Sequence, residues 1–232
     1  MPRTKAKPTK VKDSQKKSVD GVSWQAQKSA MTRDRILDAA LHSFINLGYT
    51  NVTTAKVASE AGVSRGAMLH HFPAKTALIQ AAIEYLHSKL LADYTEKVDR
   101  IPADLTGTAR RRAGVDAYWE HLSGDLFTAY HELSVASRTD PELLDIIQES
   151  VAKFESHVAE TNSSLFAEWE GHGERYTLAM DLTKFLMEGM VMGQIANDRK
   201  ARINRLLDYL MDRLEEIFDE DDDSAISRHV NG

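Results

Sequence analysis

The feature that most constrains this chain is a run of twenty residues at positions 53–72, TTAKVASEAGVSRGAMLHHF. Two short helical patterns flank Gly62, which lies where the chain must reverse and where a positive φ favours glycine. Thr53 and Thr54 can cap the first helix and Ser64 the second, because the first N–H groups of a helix lack backbone partners. The pattern predicts a helix–turn–helix, a unit that lays its second helix in the major groove of DNA.

The start of the second helix has a composition suited to reading DNA. One long cation is followed by two very small residues, so the helix end can press against base edges, and we predict base contacts by Arg65, Gly66 and Ala67. Arg65, the His70-His71 pair and Lys75 are cations or hydrogen-bond donors of the kind that contact phosphates. A purely structural hairpin is the alternative, but packing alone does not require these donors in this order.

The charge of the chain is divided between two parts. Residues 1–80 hold 13 Lys+Arg and 5 Asp+Glu, a net charge of +8, whereas residues 81–232 hold 16 and 30, a net charge of −14. The positive part contains the predicted helix–turn–helix, and a phosphate backbone would repel the negative part. This polarity would orient the molecule on a duplex and supports double-stranded DNA as a partner.

Composition excludes several classes of protein. The chain has no cysteine, which excludes disulfides, thiolate zinc sites and a catalytic thiol and suits a reducing cytoplasm. No apolar run approaches the ~18 residues of a membrane span, and no apolar stretch follows the N-terminal lysines as in a secretory signal. We therefore expect a cytoplasmic protein with no membrane partner.

Apolar residues at 3.6-residue spacing predict an all-α fold without a sheet. The first helix is expected from Thr32 to Gly48, and a long helix from Lys75 to about Tyr94. Because this long helix starts directly after the helix–turn–helix, any movement of it also moves the DNA-contacting helix. The other helices are predicted at residues 108–122, 125–138, 141–162, 174–197 and 199–218, with Asp140 capping the one that starts at position 141.

Four regions follow from these patterns. Residues 1–28 carry 8 Lys+Arg against two aspartates and have few apolar side chains, so we expect a disordered basic arm. Whether the arm reaches along DNA or is only a solvated tail stays open. Residues 29–74 form the predicted DNA-binding domain, residues 75–219 a larger helical domain, and residues 220–232 a disordered acidic tail.

The larger domain is rich in aromatic and methionine side chains. Such residues fill a core by default, yet they can also line an adaptable cavity, and sequence alone does not separate the two cases. The predicted lining of such a ligand pocket is Leu86, Trp119, Phe127, Phe185 and Met190. In the connection after residue 162, we expect Phe166 and Trp169 to anchor the loop to the body.

Two long amphipathic helices are predicted near the C-terminus, where Gly189, Gly193 and Ala196 allow close helix approach. Packing against a symmetry mate would form a four-helix dimer interface. The alternative is that these helices only close the core of the monomer. A reading unit this small usually needs two copies to recognise a duplex, which favours the homodimer.

The sequence offers little support for catalysis. It has no His-Glu-x-x-His and no phosphate-binding glycine loop. Glu84-x-x-His87 occurs once, whereas a di-iron carboxylate bundle needs two copies, so we expect this pair at the surface. Neighbouring helix positions such as His70 and His71 point about 100° apart, which is poor geometry for one metal ion. We predict no enzyme activity, cofactor or metal.

At this point the residues resemble a known family. Residues 32–78 are similar to the N-terminal domain of TetR-type transcriptional regulators, most specifically in Gly62-Val63-Ser64-Arg65-Gly66, His71-Phe72 and Lys75. This part is about a fifth of the chain. The remainder agrees in length, helical character and paired terminal helices, and residues 136–143 are similar to a stretch seen in some members.

The resemblance implies a homodimeric repressor that binds a palindromic operator and is released by an unknown small molecule bound in its C-terminal domain. By position, it implies base contacts by Arg65, Gly66 and Ala67. It also implies phosphate contacts, which fall on Thr53, Thr54, His70, His71 and Lys75. One departure concerns Leu69, which stands where the family often has a tyrosine that holds a phosphate. Either Leu69 turns inward, or the grip depends more on His70 and the arm. The rival interpretation is a helical small-molecule carrier or enzyme with a basic interaction domain.

Overall fold

The computed structural model describes residues 24–165, 173–193 and 198–219. Within them the regular structure is entirely helical, as the apolar spacing predicted, with one 3₁₀ turn at Tyr49–Asn51. The helices are α1 (Trp24–Leu47), α2 (Thr54–Glu60), α3 (Arg65–His71), α4 (Lys75–Asp99), α5 (Gly107–Leu122), α6 (Asp125–Ser137), α7 (Pro141–Leu165), α8 (Glu174–Met192) and α9 (Arg199–Asp219).

Several helix ends differ from the sequence-based expectations. Helix α1 begins at Trp24, so the last five residues of the expected disordered arm are helical. Helix α4 continues five residues beyond Tyr94, and α8 ends at Met192, before Gly193, instead of reaching residue 197. Residues 1–23, the expected acidic tail, and Phe166 and Trp169 lie outside the described residues.

The N-terminal helices share one compact core with the start of α4. Large side chains on α1, α3 and α4 and at the end of α3 are almost fully buried together, as shown by Ile36, Phe44, Met68, Phe72 and Leu78. Before Ile36, by contrast, α1 has exposed or half-buried residues only. The helix–turn–helix is therefore held rigidly from behind, and its outward face is left to solvent.

The C-terminal body is organised around α4. This helix contacts α1 near its start and α5, α6 and α7 along its length, while α8 packs on α5 and α9. Leu86 and Leu90 on α4 are fully buried at these contacts. Helix α7 begins as predicted, because Asp140 accepts a hydrogen bond from the Leu143 N–H at 3.1 Å. None of the described helices has both the length and the apolar character to cross a membrane.

One expectation about α4 is wrong. His87 was expected at the surface with Glu84, but only Glu84 is exposed. His87 is buried because α7 packs over it: its Nδ1 lies 2.6 Å from the Ser150 hydroxyl, and its ring stacks on Phe154 with 4.7 Å between centroids. Burial lowers the pKa of His87 to about 4, so the ring is neutral at ordinary pH.

Two hydrogen bonds join the N-terminal helices to the α6–α7 corner. The Tyr49 hydroxyl donates to Asp140 at 3.2 Å, and the Thr76 hydroxyl donates to Glu142 at 2.9 Å. Burial and the neighbouring Asp140 raise the pKa of Tyr49 to about 12, so this phenol remains a donor. The cap of α7 is thereby tied to the N-terminal helices.

Candidate nucleic-acid interface and adjoining cavity

The turn between α2 and α3 has the cap geometry that the sequence predicted. Thr53 accepts a hydrogen bond from the Lys56 N–H at 3.2 Å, and Ser64 accepts one from the Ala67 N–H at 3.1 Å. Gly62 has φ of +62°, the left-handed conformation that favours glycine. Thr54 is the first residue of α2 and does not provide the cap.

Ser64 also lies in a Gly-x-Ser-x-Gly run, the pattern of some hydrolase nucleophiles. In those enzymes the serine follows a strand, whereas here it follows α2. Its hydroxyl is engaged as a helix cap. The pattern therefore describes the turn and not a nucleophile.

Helix α3 is anchored on one side and free on the other. Met68 and Phe72 are 1% and 2% exposed, and the Arg33 guanidinium lies 4.8 Å from the centre of the Phe72 ring. Exposed residues on the opposite face include Arg65, Gly66, Leu69 and His70, while Ala67 is half-buried. This arrangement presents a short, firmly held helix to a partner.

No contact with another described residue explains the composition of the first turn of α3. Arg65 is exposed and makes no hydrogen bond or ion pair with any other described residue. A Cβ added to Gly66 would meet only the Ser64 hydroxyl, at an ordinary 3.9 Å. Because glycine inside a helix is less stable than alanine by about 1 kcal/mol, a residue with open space around it points to a close approach from outside.

The predicted phosphate contacts border the same face. His70 and Lys75 are exposed, and the Lys75 ammonium lies 5.3 Å above the ring of Tyr49. His71 is half-buried, and burial together with the neighbouring His70 and Arg33 charges lowers its pKa. A neutral His71 can offer a phosphate a hydrogen bond rather than a full charge.

Leu69 does not turn inward, because 46% of its surface is exposed. The first of the two explanations offered for this residue is therefore excluded. A leucine on this face cannot donate a hydrogen bond to a phosphate. Any direct contact it makes must be apolar.

A second feature is a cavity of about 330 Å³ in the C-terminal body. Residues of five helices, α4 to α8, line it, and its walls include the aromatic rings of Tyr94, Tyr118, Phe127, Tyr130, Phe154 and Tyr176. Tyr94 and Tyr118 meet edge to face with centroids 5.7 Å apart, and Phe127 and Tyr130 stack at 5.6 Å. We call this space the aromatic cavity; its size and lining are those of a small-molecule site.

The structure separates the five residues predicted to line a ligand pocket. Phe127 lies in the wall of the aromatic cavity. Leu86 is fully buried, Trp119 packs against the core, and neither lines this cavity. Phe185 and Met190 lie in a different place, a groove between α8 and α9. Their positions along α8 turn them away from the aromatic cavity.

Ionisable side chains lie beside the aromatic rings of this cavity. His121 is buried and its Nδ1–H donates to Asp93 at 2.7 Å. Burial would raise the pKa of Asp93, but hydrogen bonds from Lys97 and His121 outweigh it and lower the pKa. Glu188, half-buried on α8, has a raised pKa because burial disfavours its charged form.

Comparison with known proteins identifies the family of the chain. The profile of "Bacterial regulatory proteins, tetR family" matches residues 36–82. The uncharacterised HTH-type transcriptional regulator TtgW of Pseudomonas putida is 30% identical over 106 residues, which cover 46% of this chain and 68% of that protein. The chain belongs to the TetR family of transcriptional regulators. As in that family, its N-terminal helix–turn–helix binds DNA.

Solved structures show the same fold over most of the chain. A Mesorhizobium loti protein assigned to the TetR family has a TM-score of 0.65 at 19% identity, covering 82% of this chain and 98% of that one. The multidrug-binding protein EbrR, solved with imidazole, has a TM-score of 0.55 at 19% identity, covering 83% and 92%. At these identities the likeness concerns the fold.

Sequence reasoning on this TetR-family chain predicted the helix–turn–helix and missed most of the cavity. Tyr118 and Tyr130 were read as core by default, and Tyr94, Phe154 and Glu188 were not singled out. The available signal was the close spacing of rings in α5 and α6, such as Tyr118 with His121. Among the described residues, no group of three or more His, Asp or Glu side chains is placed to hold a metal ion.

Proposed function

We propose that this TetR-family regulator is a homodimeric repressor that leaves a palindromic operator when a small molecule occupies the aromatic cavity. The observation that carries the DNA contacts is the exposed Arg65, which has no partner among the described residues and lies beside Gly66 on a helix packed against the core. An arginine at this position can bind guanine O6 and N7 in the major groove, while Gly66 and Ala67 admit the base edges.

The phosphate contacts follow from the placement of donors around α3. Thr53 and Thr54 at the start of α2, His70 and His71 at the end of α3, and Lys75 at the start of α4 flank the base-contacting turn. Such contacts set the position of α3 on the duplex without reading sequence.

An apolar surface on α8 and α9 that no other described helix covers supports the homodimer. Exposed large side chains on these two helices are Leu178, Phe185, Met192, Leu206 and Tyr209. Gly189, Met190 and Gly193 form the adjacent groove, where small residues allow close approach. A surface of this kind on a soluble protein favours association, and a two-fold axis would pair α8 and α9 with the same helices of a second copy.

Helices α4 and α6 supply the mechanical link between the two sites. Leu90 and Tyr94 of α4 line the aromatic cavity, and only three residues separate the start of this helix from the end of α3. Phe127 and Tyr130, near the start of α6, line the cavity. Helix α6 ends close to Asp140, which accepts a hydrogen bond from the Tyr49 hydroxyl. A ligand that displaces these side chains therefore biases the position of α3.

The proposed switch has two states of one dimer. In the DNA-binding state the two α3 helices are about 34–36 Å apart, the distance between successive major grooves. A ligand that binds the other state more tightly by a few kcal/mol is enough to release the operator.

The decisive experiment selects DNA before it screens ligands. The full-length protein is mixed with random genomic fragments, and the retained fragments are sequenced after an electrophoretic shift. Enrichment of a palindrome with half-sites one helical turn apart is expected, followed by release in a ligand screen. Failure to retain any duplex at low salt would overturn the proposal and favour the carrier or enzyme interpretation.

Phe185→Glu provides the matching test of the dimer. Phe185 is 68% exposed in the single chain, so the substitution should not affect folding of the protomer. A charge at the centre of the proposed interface should shift the protein to monomers in analytical ultracentrifugation and abolish binding to a palindrome. Leu144→Glu is the matched control, because it places the same charge on an exposed apolar residue of α7. Tyr85→Glu would not serve, because the Tyr85 hydroxyl donates a hydrogen bond to Asp38.

A further inference from the structure

The aromatic cavity contains a carboxylate with no partner among the described residues. Glu188 is half-buried in the cavity wall, and it makes no hydrogen bond or ion pair with another described side chain. Its negative charge helps to raise the pKa values of Tyr118 and Tyr130, which places the carboxylate near both phenols. A buried charge without a partner is costly, so a ligand that pairs with it gains affinity.

The other charges of the cavity only partly offset the burial of Glu188: burial raises its pKa, and the nearby Lys184 charge lowers it by less. Lys184 stands one turn earlier on α8, but its ammonium pairs with Glu155 of α7 at 3.6 Å. Asp181 lies exposed at the edge of the lining and adds a further negative charge. The lining thus holds three carboxylates against one ammonium, while His121 is directed to Asp93 and burial lowers its pKa.

The aromatic rings complete a site for a cation. Tyr118 and Tyr130, the phenols on which the Glu188 charge acts, come from α5 and α6, and Phe127 stacks on Tyr130. The face of an aromatic ring carries negative electrostatic potential and attracts a cation within about 6 Å of its centre. An anionic ligand would instead meet Glu188 and the electron-rich ring faces without an unpaired ammonium to receive it.

We propose that the effector is an organic cation with a bulky apolar body, whose charge is held by Glu188 and by the ring faces of Tyr118 and Tyr130. The inference rests on the proposed function, which makes the aromatic cavity the effector site. The apolar body occupies the space beside Phe127 and Phe154. The cation supplies Glu188 with a direct ion pair, which no side chain among the described residues makes with it.

The experiment uses two probes of the same shape and opposite charge. Tetraphenylphosphonium and tetraphenylborate are titrated separately into the full-length protein in a calorimeter. The phosphonium ion should bind, and the borate should bind at least about tenfold more weakly, a difference of about 1.4 kcal/mol. Equal affinity, tighter binding of the borate, or binding of neither probe overturns the assignment.

Variants locate the charge recognition. Glu188→Gln keeps the shape of the side chain and should weaken phosphonium binding by about tenfold, because only the charge is lost. Glu160→Gln removes the same charge from the exposed face of α7 and should leave the affinity unchanged. Tyr118→Leu removes a ring face and should also weaken the phosphonium ion, with folding of each variant checked by its melting temperature. Unchanged affinity in Glu188→Gln overturns the proposal.

The readouts separate this inference from the repressor proposal. Operator retention is measured without any probe, so a failure of the repressor proposal appears there and not in the titration. If tetraphenylborate or a neutral compound releases the operator and Glu188→Gln has no effect, the cation assignment is wrong and the repressor proposal stands.

Discussion

The N-terminal domain and the C-terminal body of this protein differ in how completely their side chains fill the interior. Around Phe44 and Met68 the small domain is filled, with both side chains at most 1% exposed. The larger body encloses an open space between α4 and α8. The charges are opposite as well, because residues 1–80 carry +8 and residues 81–232 carry −14.

The difference shows how each region presents its partner surface. The small domain uses a solid core to hold a short helix still, and its recognition chemistry points outward from α3. The body uses incomplete packing to leave room for a ligand, and its recognition chemistry points inward. A rigid surface suits a duplex of fixed shape, whereas a cavity between helices can couple binding to their movement.

The largest effect is expected where the filled and the open core are compared directly. Phe44→Ala should lower the free energy of unfolding by about 3–5 kcal/mol, since it leaves a new void in a closed core. Phe127→Ala should cost less, about 1–3 kcal/mol, because it enlarges a space that already lacks contacts on one side. Urea unfolding of both variants measures the difference, and equal losses would contradict the contrast.

The next effect concerns the buried histidine of the body. The pKa of His87 in the native protein is about 4, below its ordinary value near 6.5. Between these two pH values the unfolded chain binds a proton at His87 and the native protein does not. Stability should therefore fall by about 2–3 kcal/mol as pH drops from 7 toward 4. His87→Gln should reduce this pH dependence in urea unfolding, while His70→Gln, an exposed histidine, should not. Equal slopes in all three proteins would show that His87 is reached by water.

A smaller effect tests the outward chemistry of α3. Arg65→Ala should cost about 1–3 kcal/mol of operator binding and relax preference at one position in each half-site. Lys75→Ala should weaken all sequences alike and reduce the slope of log affinity against log salt by about 1. Binding to a panel of operator variants measures both. A uniform loss for Arg65→Ala would make it a phosphate contact.

The smallest effect is expected at two glycines, Gly66, whose proposed role is in DNA binding, and Gly62, whose role is in folding. Gly66→Ala should stabilise the protein by up to about 1 kcal/mol, because its Cβ has room and the helix gains propensity. The same methyl should weaken operator binding. Gly62→Ala should destabilise the protein, since Gly62 has φ of +62°. Unchanged DNA binding by Gly66→Ala would remove the close approach from the interface.

Residues 1–23 are the part of the predicted basic arm that precedes α1. They belong to neither of the two regions compared above and have a test of their own. It carries seven Lys+Arg, and its deletion should lower the salt slope of DNA binding if the arm contacts phosphates. An unchanged slope would leave it a solvated tail.

Sequence predicted the helix–turn–helix closely because its signals act over a few residues. The caps at Thr53 and Ser64 and the positive φ at Gly62 depend on neighbours in the chain, and the exposed face of α3 follows from its periodicity. The helix starts at Lys75 and Pro141 were predicted for the same reason. Where a helix continues was harder to predict: α1 starts earlier than expected, and α4 ends later.

Sequence therefore determined the all-α class, the charge polarity and the DNA-binding turn, each of which depends on local composition and spacing. Only the tertiary structure decided that His87 is buried, that Phe185 and Phe127 belong to different surfaces, and that Glu188 faces an aromatic cavity. These outcomes depend on how helices distant in sequence approach one another. A space left between five helices has no signature in any one of them, because it is defined by the volume that their side chains do not fill.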